Sequence, residues 1–137
     1  MKIIVATHGD FCFGIIHSYK MLAGDNDSII PISLKESDTG EFKSELNEIT
    51  SNDEKYLILC DLYGGTPFNE SVYLQQKYPD RIKAISGVNL PMLLESGMAL
   101  NTGVSLDRIV SVLFKVGAES IMDFSNEMEM ANDDDIF

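Results

Sequence analysis

The sequence predicts an α/β domain: an open sheet of four parallel strands in the order 2-1-3-4, with helices on both faces. Three observations lead there. Four short runs suited to strands alternate with longer stretches of helical periodicity. The first and third runs are apolar throughout, as in strands covered on both faces. Pro31 lies inside the second run, which places that run at an edge. The first two crossovers then leave in opposite directions, and the switch point falls between strands one and three.

The first strand is expected over residues 2–6, followed by the loop Thr7-His8-Gly9-Asp10. Phe11, Ile15, Tyr19 and Leu22 fall at helical spacing over residues 11–22, and Gly24 supplies a C-terminal stop. Asp25-Asn26-Asp27 forms a turn before the second strand, residues 29–34. Ser37-Asp38-Thr39-Gly40 reads as a polar loop, and Phe42, Leu46 and Ile49 mark a second helix. The third strand covers residues 56–60. Pro67 suits the first turn of the next helix, which runs to Lys77 and stops before Pro79. Residues 81–86 form the fourth strand, Gly87-Val88-Asn89-Leu90-Pro91 a loop, and residues 91–100 a helix. Ser105 caps a last helix with Asp107 in its first turn, Leu106, Ile109, Val110 and Leu113 on its apolar face, and Gly117 as its close. Residues 120–124 are expected to form a short last strand. Met92 and Met98 are read as core.

The 137 residues suit one domain with one core, over residues 1–125, and an acidic, flexible tail over residues 126–137. A formal net charge of −12 opposes nucleic acid and anionic membrane surfaces as partners. No apolar run approaches the ~20 residues that span a bilayer. The N-terminus enters the first strand without a signal-peptide pattern, so a cytoplasmic protein is expected. Cys12 and Cys60 show no metal-ligand or C-x-x-C spacing and read as buried, reduced thiols. No metal or other cofactor is called for.

Chemistry in such sheets collects at the carboxyl ends of the strands. His8 stands at the end of the first and Asp61 at the end of the third, so both face the switch point. A carboxylate beside one ring nitrogen fixes the imidazole tautomer and leaves the other nitrogen free to attack. The chain has no Gly-x-Ser-x-Gly elbow, no obvious nucleophilic cysteine, and only His17 as a second histidine. The pair therefore fits a histidine that takes the transferred group itself. Gly64-Gly65-Thr66-Pro67 lies between a strand and a helix N-terminus, where free backbone N–H groups and the dipole favour an anion. No Lys or Arg occurs in residues 6–16, 61–72 or 87–95. Each charge-assisted bond is worth ~1.5–3 kcal/mol, so a site without such clamps holds a phosphoryl group only moderately, as a carrier must.

Val5-Ala6-Thr7-His8-Gly9, Cys60-Asp61-Leu62-Tyr63-Gly64-Gly65-Thr66-Pro67-Phe68-Asn69 and Gly87-Val88-Asn89-Leu90-Pro91-Met92 resemble three motif blocks of one family. It is the IIA component (EIIA) of the mannose-type phosphoenolpyruvate-dependent sugar phosphotransferase system (PTS). The resemblance covers residues 1–125 and implies a flavodoxin-like fold. It implies His8 as phospho-acceptor, Asp61 as its orienting partner, and Thr66, Gly65, Gly64 and Gly9 as phosphate-binding positions. The donor would be phospho-HPr and the acceptor a separate IIB component. The membrane components IIC and IID would be met indirectly, with peripheral association at the transporter complex. The resemblance also implies a homodimer whose C-terminal strand crosses to the partner's sheet edge, antiparallel to it. Asp10 and Tyr63 stand where better-known members carry an aromatic residue, often tryptophan. Two other classes share this kind of fold. A regulatory phospho-acceptor domain predicts flanking ATPase or DNA-binding domains. A receiver- or flavodoxin-like binding module predicts a Mg²⁺-binding acidic cluster or flavin binding.

Overall fold

A computed structural model describes residues 1–125. The acidic tail lies outside the described residues. In chain order the elements are β1 (Lys2–His8), α1 (Phe11–Ala23), β2 (Ile29–Leu34), α2 (Thr39–Ile49) and β3 (Tyr56–Cys60). They continue as α3 (Thr66–Lys77), β4 (Ile82–Ile85), α4 (Leu90–Ala99) and α5 (Leu106–Glu119). The sheet is parallel throughout, in the order β2-β1-β3-β4, and the proline-bearing strand is at an edge as expected.

β1 is central, and its apolar run explains why. Ile3, Ile4, Val5 and Ala6 are all fully buried. Successive side chains of a strand point to opposite faces. Ile3 and Val5 join a core with Cys12, Ile15 and Tyr19 of α1, Met92 and Leu93 of α4, and Ile109 and Leu113 of α5. Ile4 and Ala6 join a second core with Phe42 and Leu46 of α2 and Leu74 of α3. Each fully buried Val, Leu or Ile stabilises the fold by roughly 1.5–3 kcal/mol relative to exposure.

Several elements differ from expectation for local reasons. β1 continues two residues further, because Thr7 and His8 pair with Ser33 and Leu34 of β2. α2 starts at Thr39, inside the expected polar loop, because the Asp38 side chain accepts from the Glu41 amide at 3.1 Å and caps it. Gly117 does not close α5, which runs to Glu119. It is buried, and a Cβ there would stand 2.9 Å from Met92 Sδ, so the glycine serves close packing on α4. Met98 is 74% exposed and does not belong to the core, because α4 buries Met92, Leu93 and Ser96 instead. The strand expected over residues 120–124 is absent from the single chain: Ser120 turns, residues 121–123 have no regular structure, and residues 124–125 are helical.

α1 and α4 meet through a second close approach. A Cβ on Gly97 would stand 2.8 Å from Cε2 and Cζ of the Tyr19 ring. Tyr19 is buried, so the ring has little room to yield. Gly97→Ala is expected to lower stability by about 1–3 kcal/mol. Gly14→Ala, on the exposed side of α1 with nothing within 4 Å, is expected to raise it by up to about 1 kcal/mol. Urea denaturation compares the two, and equal midpoints would remove the packing role given to Gly97.

Candidate functional site

The carboxyl end of β1 presents two neighbouring side chains to opposite faces of the sheet. Thr7 is fully buried, and its hydroxyl accepts from the Cys12 amide at 2.8 Å, so it fastens the start of α1. His8 faces the other way, toward α3. Gly9 follows with φ +54, a left-handed conformation that lets the chain turn at once. Its N–H donates to Leu34 O at 2.9 Å, and its carbonyl accepts from Ser33 Oγ at 2.6 Å. Gly9 thus anchors the loop to β2, and its amide is already engaged.

Asp61, one residue past β3, reaches across the switch point. Its Oδ2 accepts from His8 Nδ1 at 2.9 Å and from the His8 backbone N–H at 3.1 Å. One oxygen therefore holds both the main chain and the ring of the same residue. The His8 side chain is 45% exposed and that of Asp61 only 15%, so the imidazole is reachable while the carboxylate is shielded. Asp61 Oδ1 is buried and has no hydrogen-bond partner. Among the described residues, no Lys or Arg forms an ion pair with either side chain.

The free edge of the ring lies against the N-terminus of α3. A Cβ on Gly65 would stand 2.7 Å from His8 Cε1 and 3.3 Å from Nε2, so only glycine lets the loop approach this closely. Gly65 is the N-cap of α3 and makes no side-chain cap, whereas Asp38, Asn89 and Ser105 cap α2, α4 and α5. First-turn amides have no partner within their own helix, and Pro67 removes one of them. The Thr66 and Phe68 amides are left at the end of a dipole that favours an anion. Gly64, at φ +80, turns the loop, and its carbonyl accepts from Asn69 Nδ2 at 3.0 Å. Tyr63 packs against Phe68 with ring centroids 5.2 Å apart and planes tilted by 40°, and Leu62 beside it is also exposed.

The structure brings His8, Asp61 and Gly65 together and sets Thr66 next to them at the helix start. His17 is exposed on α1, where it lines a cleft with Phe13, Lys20 and Pro31 away from this site. Both cysteines are buried. Burial is the main reason the Cys60 thiol is pushed up to about 12; a hydrogen bond with Ser71 opposes the rise and the Asp61 carboxylate adds to it. Burial also raises Cys12, against the lowering effect of its bond with Thr7. Thiols of this kind stay protonated near neutral pH and are poor nucleophiles. Sequence reasoning missed the helix-fastening role of Thr7 and the Ser33 anchor. A hydroxyl at a strand end is a weak signal for either.

The family model described as "PTS system fructose IIA component" (EIIA-man) matches residues 2–113. The chain is 30% identical over 143 residues to the sorbose-specific EIIA component of Lacticaseibacillus casei, covering 98% of this chain and 99% of that one. It is 27% identical over 126 residues to the mannose-specific EIIAB component of Escherichia coli, covering 88% of this chain but only 38% of that protein's length. The crystal structure of phosphotransferase system component EIIA from Streptococcus agalactiae superposes with a TM-score of 0.85 at 34% identity, covering 91% of this chain and 98% of that one. The chain belongs to the EIIA-man family, the mannose-type IIA components of the sugar phosphotransferase system.

Proposed function

We infer that this chain is a phosphoryl carrier in sugar uptake, with His8 as its phospho-acceptor. Phospho-HPr would donate and a separate IIB component would receive. The observation that carries the reading is the orientation of one ring. Nδ1 is held by Asp61 at 2.9 Å, which leaves the Nε2 edge at the uncapped start of α3. In the first transfer the Nε2 lone pair forms a bond to phosphorus as the bond to the donor atom of HPr breaks. Nδ1–H stays on Asp61, whose charge stabilises the positive charge developing on the ring. The Thr66 and Phe68 amides and the Thr66 hydroxyl receive the phosphoryl oxygens. The second transfer reverses these steps toward IIB. With no Lys or Arg paired to His8 or Asp61 among the described residues, the group is stabilised enough to rest on His8 and not enough to stay.

The chain spans 38% of the length of the EIIAB relative, and the acceptor is proposed from the family as a IIB component. We place the carrier in the cytoplasm, as a homodimer that exchanges residues 120–124 between copies, meeting IIC and IID through IIB. Among the described residues, no helix is long and apolar enough to cross a membrane.

Asp61→Asn is expected to slow transfer on the order of 10²-fold or more, because a neutral amide can present its N–H to Nδ1 and invert the tautomer. Stopped-flow transfer from phospho-HPr measures it, and unchanged kinetics would strip Asp61 of this role. NMR of the phosphorylated chain tests the ring assignment. Attachment at Nε2 is expected; attachment at Nδ1 would reverse it.

A further inference from the structure

The outward-facing amides at the two open edges of the sheet are engaged by different means. In a parallel strand, alternate residues direct both N–H and C=O to the same neighbour. Ser28 and Leu34 direct their carbonyls to β1, accepting from Ile3 at 2.8 Å and Gly9 at 2.9 Å, so Ile29, Pro31 and Ser33 face outward on β2. The Ile29 amide already donates to Asn26 O at 3.1 Å, and Pro31 has none. On β4, Arg81 directs its carbonyl to Tyr56 N at 2.8 Å, so Ile82 and Ala84 face outward. The Ile82 amide donates to Tyr78 O at 3.0 Å, and the Ala84 amide donates to the Gln75 side-chain Oε1 at 2.8 Å.

Most of these closures belong to the main chain: a proline ring, or a backbone turn next to the strand. The closure at Ala84 is made by a side chain, and a side chain can rotate away. We propose that Gln75 is a latch on the β4 edge, which must release the Ala84 amide before an extended segment of a second copy adds to β4. The segment is residues 120–124, which follow α5 without strand structure, begin a helical turn only at Phe124, and expose Ile121, Met122 and Phe124. β4 accepts it in preference to β2 because rotating one amide side chain frees a donor in mid-strand, whereas nothing restores one at Pro31. Released Gln75 regains water, and the Ala84 N–H passes to a carbonyl of the incoming strand. The inference rests on the exchange between copies proposed above.

The test uses the full chain, wild type and Gln75→Ala. Hydrogen exchange is read at the Ala84 amide at dilutions where the chain is monomeric, and self-association by sedimentation. In the variant the Ala84 amide should lose protection while the β3 amides keep theirs, and the dimer should tighten roughly 5- to 100-fold, since a symmetric pair releases two competing hydrogen bonds. A wild-type dimer whose affinity is unchanged in Gln75→Ala overturns the latch and leaves the exchange reading standing. So does an Ala84 amide equally protected in both monomers. No dimer in either chain at any concentration overturns the exchange and the latch together.

Discussion

His8→Ala is expected to abolish phosphoryl acceptance from phospho-HPr, while His17→Ala leaves it unchanged. The argument is one of position, since the chain has only these two imidazoles. His8 is fixed at Nδ1 by a shielded carboxylate and presents its opposite edge to the start of α3. His17 lines a cleft on α1 between Phe13, Lys20 and Pro31, in the interior of the helix and away from Asp61 and the start of α3. Alanine at position 8 removes the proposed nucleophile, so the loss is expected to be complete and not graded. It also frees Asp61 Oδ2 of one of its two bonds and leaves the other, from the backbone amide, in place. The fold is therefore expected to survive, and circular dichroism should show an unchanged spectrum. The label on the wild type should be lost in acid and kept in alkali, as a phosphoramidate is. Intact-mass measurement after incubation with phospho-HPr decides the matter. A phosphoryl group retained by His8→Ala would refute the assignment.

Gly65→Ala is expected to slow transfer by about 10²-fold with little change in melting temperature. The backbone is not the obstacle: Gly65 sits at φ −77 and ψ 166, an extended conformation open to any residue. The obstacle is the imidazole, since the new methyl would stand 2.7 Å from Cε1. Either the ring turns on its Asp61 hinge or the start of α3 retreats. Both separate Nε2 from the amides proposed to receive the phosphoryl oxygens, and a displacement near 1 Å is worth about 10²-fold in rate. Gly64→Ala provides the contrast. It has open space but φ +80, so its cost is backbone strain of roughly 1 kcal/mol in the loop and not a blocked ring. Rates and melting temperatures for the two variants should separate the effects. A Gly65→Ala chain with wild-type rates would mean that the close approach is incidental.

The parts of this molecule that were legible in the sequence are those set by one-dimensional pattern. Apolar runs marked the strands, Pro31 marked an edge, and the polar residues ending the first and third runs marked the two side chains that meet at the candidate site. His8 and Asp61 were paired because topology alone brings neighbouring strand ends together. Features that depend on what lies opposite were not legible. Gly117 has the look of a helix stop, yet it is glycine because Met92 leans on it. Asp38 sits among turn formers, and only the helix beyond it reveals a cap. Gly65 was expected to offer backbone to a phosphate; that it also makes room for the His8 ring follows only from three-dimensional proximity. Residues 120–124 have strand-like composition, but a strand needs a neighbour, and the single chain provides none.

The opposed pair at the end of β1 makes the chain intolerant of a particular kind of genetic change. Thr7 fastens α1 on one face while His8 meets Gly65 on the other. Deleting or inserting one codon upstream within β1 would exchange their faces, sending the imidazole under α1 and the hydroxyl toward Asp61. The buried residues Ile3, Ile4, Val5 and Ala6 would trade cores at the same time, at similar volume. Such a chain is expected to lose its proposed nucleophile far more surely than its fold. Length variation in this family is therefore expected in the loops between elements, and the distance from the start of β1 to its histidine is expected to change, if at all, by two residues at a time.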